Sequence, residues 1–119
     1  TFYFDCVPTG NSLRGDVLEN LGVPNISKIK VDVDTGDSIL DSLGISTIDH
    51  ISITINGAEP DALAGLINTI KLNPKVTVSM PGWYFRDGQR IDAILAPQLR
   101  SYGFSHVMTG NLGRVIAWS

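Results

Sequence analysis

The stretch that most limits the fold is Asp49-His50-Ile51-Ser52-Ile53-Thr54-Ile55-Asn56, where isoleucine alternates with polar residues before Gly57-Ala58-Glu59-Pro60. An alternation of period two marks a strand with one buried face. Pro60 suits the first position of a helix, where its missing N–H would be unsatisfied in any case. Leu63, Leu66, Ile67 and Ile70 then recur at helical spacing. The unit reads as a well-buried strand, a tight turn and a helix, which is how α/β sheets are built.

The flanking sequence extends this pattern. Thr1 to Val7 is rich in aromatic and branched residues and reads as a strand, whereas Ser12 to Leu21 reads as a loop or short helix. Ile29, Val31 and Val33 alternate with Lys30, Asp32 and Asp34, which predicts a half-buried strand near a sheet edge. Asp37 is placed to N-cap a short helix carrying Ile39, Leu40 and Leu43 on one face, with Gly44 as its stop. Asn73-Pro74 ends the central helix, and Lys75 to Met80 has strand character. Pro81 to Gly88 is expected to be a loop bearing three consecutive aromatics. Ile91, Ile94, Leu95, Leu99 and Tyr102 form a helical stripe stopped by Gly103, and two strands around Gly110 to Gly113 read as a hairpin. Together these predict a mainly parallel sheet flanked by helices and ending in a C-terminal antiparallel hairpin, with residues 1–119 as a single α/β domain.

Composition narrows the function classes. The net charge of −3 lacks the basic footprint that contact with a phosphate backbone requires, so no nucleic-acid partner is expected. The charge is uneven: residues 1–60 hold nine acids and three bases, residues 61–119 three acids and six bases, an asymmetry that favours contact between the two halves. No apolar run approaches the roughly 20 residues of a membrane span, so no membrane partner is expected. The single Cys6 excludes a disulfide framework and fits a reducing, cytoplasmic compartment. His50 and His106 have no cysteine or carboxylate at ligand spacing, so no metal site is expected. Cys6 lacks an evident activating partner, and no Gly-x-Ser-x-Gly elbow offers a serine nucleophile.

Ligands of open α/β sheets bind beyond the carboxyl ends of the strands. That rule singles out Thr54, Asn56, Gly57 and Glu59. Thr54 and Asn56, two apart, are expected on one strand face, and Glu59 falls in the first helical turn beside the positive end of the helix dipole. The plainer alternative is that Glu59 caps the helix while Asn56 accepts an unusual turn geometry. Trp83-Tyr84-Phe85 could lie over a substrate or pack on the sheet edge, and the large burial gain of aromatics favours packing.

The segment from about Asp37 to Gly65 resembles the FkbM family of S-adenosylmethionine-dependent methyltransferases. In that family a Thr-Leu-Asp segment opens a short helix, matched here by Thr35-Gly36-Asp37. A strand of the form Ile-Lys-Ile-Asp-Val-Glu then runs into Gly-Ala-Glu, and the next helix carries Leu-x-Gly, matched by Gly57-Ala58-Glu59 and Leu63-Ala64-Gly65. Ser52, Thr54 and Asn56 stand where the family has lysine, aspartate and glutamate, so Glu59 alone remains of the acidic trio. Thr54 and Asn56 can hydrogen-bond but cannot take a proton near neutral pH.

The resemblance implies the later part of a Rossmann-like class I methyltransferase fold, S-adenosylmethionine as cofactor, and a small-molecule acceptor methylated on a hydroxyl of a sugar or secondary metabolite. It makes Glu59 the catalytic acid to test and Thr54 and Asn56 the substrate-orienting residues. The glycine-rich turn and second-strand acid that hold the cofactor in such enzymes have no match here. No cofactor-binding residue is therefore assigned, and the chain reads as the C-terminal portion of a longer methyltransferase domain. The alternatives are a non-catalytic methyltransferase-like binding module and a domain that self-associates through an unpaired sheet edge.

Overall fold

A computed structural model of the chain describes residues 2–4 and 27–119. The stretch expected to be a loop or short helix, Ser12 to Leu21, and Cys6 lie outside the described residues. Strand β1 (Phe2–Phe4) pairs antiparallel with β2 (Ser27–Ile29) in a two-stranded ribbon. The strand expected to run on to Asp34 ends at Ile29, and Val33 is 74% exposed. Ile29 and Val31 on the same alternation are exposed as well, so the described residues do not bury its apolar side. Helix α1 (Gly36–Ser42) follows, capped by the Thr35 side chain and not by Asp37. Its expected apolar face is not buried: Ile39 and Leu43 are exposed, and only Leu40 is half-buried.

The main sheet is built from β3 (His50–Ser52), β4 (Thr77–Met80), β7 (His106–Thr109) and β8 (Val115–Trp118), in the order β3-β4-β8-β7. β3, β4 and β7 run in the same direction, β3 and β4 as parallel neighbours; β8 runs against them, between β4 and β7. Among the described residues the sheet is therefore mixed, with three strands running one way and β8 alone reversed. The hairpin, expected as an edge, inserts its last strand against β4 and so contributes half of the sheet.

The crossover between β3 and β4 is two helices, α2 (Glu59–Ala64) and α3 (Ile67–Leu72), where the spacing predicted one. The break has a tertiary cause. The Asp37 N–H donates to the Gly65 carbonyl at 2.8 Å, which docks the start of α1 on the end of α2. A Cβ on Gly65 would meet Thr35 Cβ at 3.2 Å, so glycine permits this approach.

After β4, a small hairpin of β5 (Phe85–Arg86) and β6 (Gln89–Arg90) turns on Asp87 and Gly88, both with positive φ. Asp-Gly is the residue pair that such two-residue turns demand. Helix α4 (Ile91–Ser101) then packs Ile91, Leu95 and Leu99, each fully buried, onto one sheet face. There they join Leu63 of α2 and Val76, Val78, Met80, Val115 and Ala117 in one core. Gln98 Nε2 of α4 donates to the Pro60 carbonyl at 2.9 Å and ties α4 to α2. Among the described residues, no helix is long and apolar enough to cross a membrane.

Candidate functional site

β3 and β4 are parallel, so the segments after Ser52 and after Met80 leave the sheet at the same end. The first forms the turn that the sequence singled out. Asn56 has φ 56° and Gly57 φ 114°, a left-handed pair that reverses the chain before α2. The strand ladder stops at Ser52, although the Ile53 N–H still donates to the Ser79 carbonyl at 3.2 Å.

Glu59 opens α2 with its side chain fully buried. Its Oε1 accepts the Ile55 N–H at 3.0 Å and its Oε2 the Gly57 N–H at 2.8 Å. The carboxylate thus folds back over the turn and satisfies two backbone donors that the left-handed bend leaves without a ladder partner. Both oxygens face the protein's own backbone.

Asn56 is also buried, and its Oδ1 accepts the Tyr84 hydroxyl at 2.6 Å. Burial pushes the Tyr84 hydroxyl above its ordinary pKa, and the nearby Glu59 charge adds to the rise. Thr54 is exposed. Thr54 and Asn56 therefore do not share a strand face, because the strand has ended and the left-handed backbone at Asn56 breaks the alternation. The structure brings Asn56, Glu59 and Tyr84 together and leaves Thr54 at the surface.

The chain matches no family model, no curated protein and no solved structure.

A cavity of about 290 Å³ lies beside the turn, lined by Val33, Ile53, Ile55, Ala58, Ala62 and Leu66, with Asp34, Thr35 and Asp61 supplying polar groups. Its walls are the residue 33–36 segment, the segment after β3 with Ile53 and Ile55, and α2 with its flanking residues; the first and last are joined by the Asp37 N–H to Gly65 bond. The Asp37 carboxylate strengthens this joint. It accepts the N–H of Asn68 at 3.0 Å, the N–H of Thr69 at 2.9 Å and the Thr69 hydroxyl at 2.6 Å. Those two amides open α3, whose own N-cap residue, Leu66, supplies no side-chain bond. Burial pushes the Asp37 pKa up, but the Thr69 and Asn68 hydrogen bonds outweigh it and the net shift is downward. Sequence spacing could not reveal this clamp, since its partners are 31 and 32 residues away.

The acids near the cavity do not form a cradle for S-adenosylmethionine. Asp34 accepts from the Thr35 N–H and the Ser38 hydroxyl, Asp61 pairs with Arg86 at 2.8 Å, and Asp37 and Glu59 hold backbone amides. With its lining largely apolar, this cavity does not fit the ribose and amino-acid parts of that cofactor. Among the described residues, no group of three or more histidines, cysteines or acids is arranged to hold a metal ion.

Proposed function

We propose that the chain is the acceptor-side part of an S-adenosylmethionine-dependent methyltransferase domain acting on a hydroxyl of a small molecule such as a sugar or secondary metabolite, with the cofactor held by residues other than those described. The observation that carries this reading is the Asn56 to Glu59 turn. It stands at the carboxyl end of a parallel strand, is braced by a buried carboxylate, and opens beside a cavity in a sheet position where α/β proteins bind ligands. The sheet is compatible with it, since parallel strands followed by an antiparallel hairpin are what the sequence pattern predicts for an α/β domain of this kind.

The acids retained from the family pattern, Asp37 and Glu59, both bond the chain's own amides. On this reading they keep the turn and cavity wall in place, so Glu59 is a positioning residue. Asn56 fixes Tyr84, and the exposed Thr54 hydroxyl can meet the acceptor. Alignment of acceptor and donor then supplies the rate, as it can in reactions limited by positioning.

A second reading, a non-catalytic binding module with the same fold, is favoured by one observation: both Glu59 oxygens are engaged, which leaves the turn no acid facing the cavity. Calorimetric titration of S-adenosylhomocysteine into the complete natural protein, with this 119-residue chain alongside, separates the two. Binding by the complete protein supports the methyltransferase reading. Absence of binding by either favours the module.

A further inference from the structure

Trp83, Tyr84 and Phe85 leave β4 at the same end of the sheet as the Asn56 to Glu59 turn, and their environments differ. Tyr84 is 9% exposed, whereas Trp83 is 42% exposed. The indole of Trp83 stacks on the Tyr84 ring, with centroids 3.9 Å apart and planes 26° from parallel. Tyr84 is itself fixed, by burial and by its 2.6 Å bond to Asn56 Oδ1. The indole therefore rests on a ring that is tied to the turn.

The backbone beneath the indole is equally constrained. A Cβ at Gly82 would lie 2.7 Å from both the Gly113 carbonyl and Asp92 Cβ, and one at Gly113 would lie 3.0 Å from Trp83 N and Cα. The Asp92 N–H donates to the Gly82 carbonyl and the Ile91 N–H to the Tyr84 carbonyl, each at 2.8 Å. An exposed aromatic backed and anchored in this way loses little freedom when a ligand covers it. The charges on the same hairpin are matched: Arg86 pairs with Asp61, and Arg90 with Asp92, each at 2.8 Å. The hairpin thus presents neither arginine bare to an anion.

We infer that the outward face of Trp83 is a stacking surface for an uncharged six-membered ring, pyranose or aromatic, carried by the acceptor. The inference rests on the reading of this end of the sheet as the acceptor side. Aromatic faces take the apolar face of a ring in offset stacking, and the matched arginines select for a neutral ring over a charged one.

The test is ligand-observed saturation-transfer NMR on the chain with methyl glucopyranoside, methyl mannopyranoside and resorcinol, and with glucuronate as the anionic control. Saturation transfer to ring protons is expected from at least one neutral probe; it should be lost in Trp83→Ala and kept in Trp83→Phe. The indole N–H signal of Trp118, which stacks on His106, reports whether each variant is folded. Transfer to the pyranosides alone identifies a sugar ring, and transfer to resorcinol alone an aromatic one. The inference is overturned if no neutral probe receives transfer, if folded Trp83→Ala or Trp83→Phe behaves opposite to expectation, or if glucuronate outcompetes methyl glucopyranoside. These probes need no cofactor, so their failure is distinguishable from failure of S-adenosylhomocysteine to bind.

Discussion

Asp37 caps a helix to which it does not belong: its Oδ1 accepts both the N–H and the hydroxyl of Thr69, at 2.9 and 2.6 Å, from 32 residues away. One carboxylate thereby joins the start of α1 to the start of α3 and holds the wall of the cavity beside the turn. Asp37→Ala removes the cap and leaves the Thr69 hydroxyl without this acceptor, so a loss of about 2 kcal/mol is expected in urea unfolding. Asp37→Asn keeps one acceptor oxygen and should lose about half as much. Equal stability of wild type and Asp37→Ala would show that the clamp carries no weight.

The same carboxylate makes stability depend on pH. Its folded pKa lies below the ordinary 3.8, so the unfolded chain takes up a proton first as pH falls. The contribution is complete above the unfolded value and disappears as pH drops through the lower folded one. Asp37→Asn should therefore flatten the acid limb of the stability curve below about pH 4 while the curve near neutrality shifts uniformly. An unchanged acid limb in the variant would assign the acid sensitivity to other groups.

Tyr84 acts at the opposite end of the scale. Its hydroxyl is pushed above 10.0, first by burial and then by the Glu59 charge, so the folded state keeps a proton that the unfolded chain gives up. Stability from this group is complete below the unfolded value and falls as pH rises from there through the folded value. Tyr84→Phe should remove this alkaline loss and, by deleting the bond to Asn56, cost about 1 kcal/mol at neutral pH. Thermal melts between pH 7 and pH 11 would reveal both effects.

Glu59 tests the assignment of a bracing role. Glu59→Ala strips two backbone amides of their acceptor and leaves space in a fully buried position, for a combined cost of about 3 kcal/mol. Hydrogen exchange at Ile55 and Gly57 should accelerate most, because those are the amides that the carboxylate holds. Slow exchange retained at both amides in a folded variant would break the assignment.

The legible parts of this fold are those fixed by short-range chemistry. Gly103 stops the stripe beginning at Ile91, the segment around Gly110 to Gly113 joins two strands, and Asn56-Gly57 turns a strand into a helix. Each is a local pattern with a local cause. The Asp87-Gly88 turn is equally local, but the strands it joins are two residues each, too short to show an alternation beside three consecutive aromatics. What the sequence could not disclose depends on distant partners: α2 and α3 separate at Gly65 because Asp37 docks there, and β8 enters between β4 and β7 because its Val115 and Ala117 face the same core as Val78 and Met80. At the site, spacing identified Asn56 and Glu59 but not Tyr84 or Asp37. Their partners lie 28 and 32 residues away.

Two glycines with crowded Cβ positions should respond unequally to the same substitution. At Gly82 the added methyl would meet the Gly113 carbonyl and Asp92 Cβ at 2.7 Å, and Asp92 Cα at 2.9 Å. The first of these is backbone, fixed where β8 begins, and cannot swing aside. Gly82→Ala should therefore cost about 2–3 kcal/mol, as overpacking of a rigid junction does, and should displace Trp83 with it. At Gly36 the nearest atoms all belong to the Leu66 side chain, Cδ2 and, at 2.8 Å, Cγ, so the whole side chain must turn, with the adjoining cavity to receive it. Gly36 is the first residue of α1, where the helical preference for alanine is weaker than in a helix interior, so Gly36→Ala should cost about 1 kcal/mol, less than Gly82→Ala. Chemical denaturation of the two variants side by side decides the matter, and a larger loss at Gly36 than at Gly82 would contradict the packing described at the junction of β4, α4 and β8.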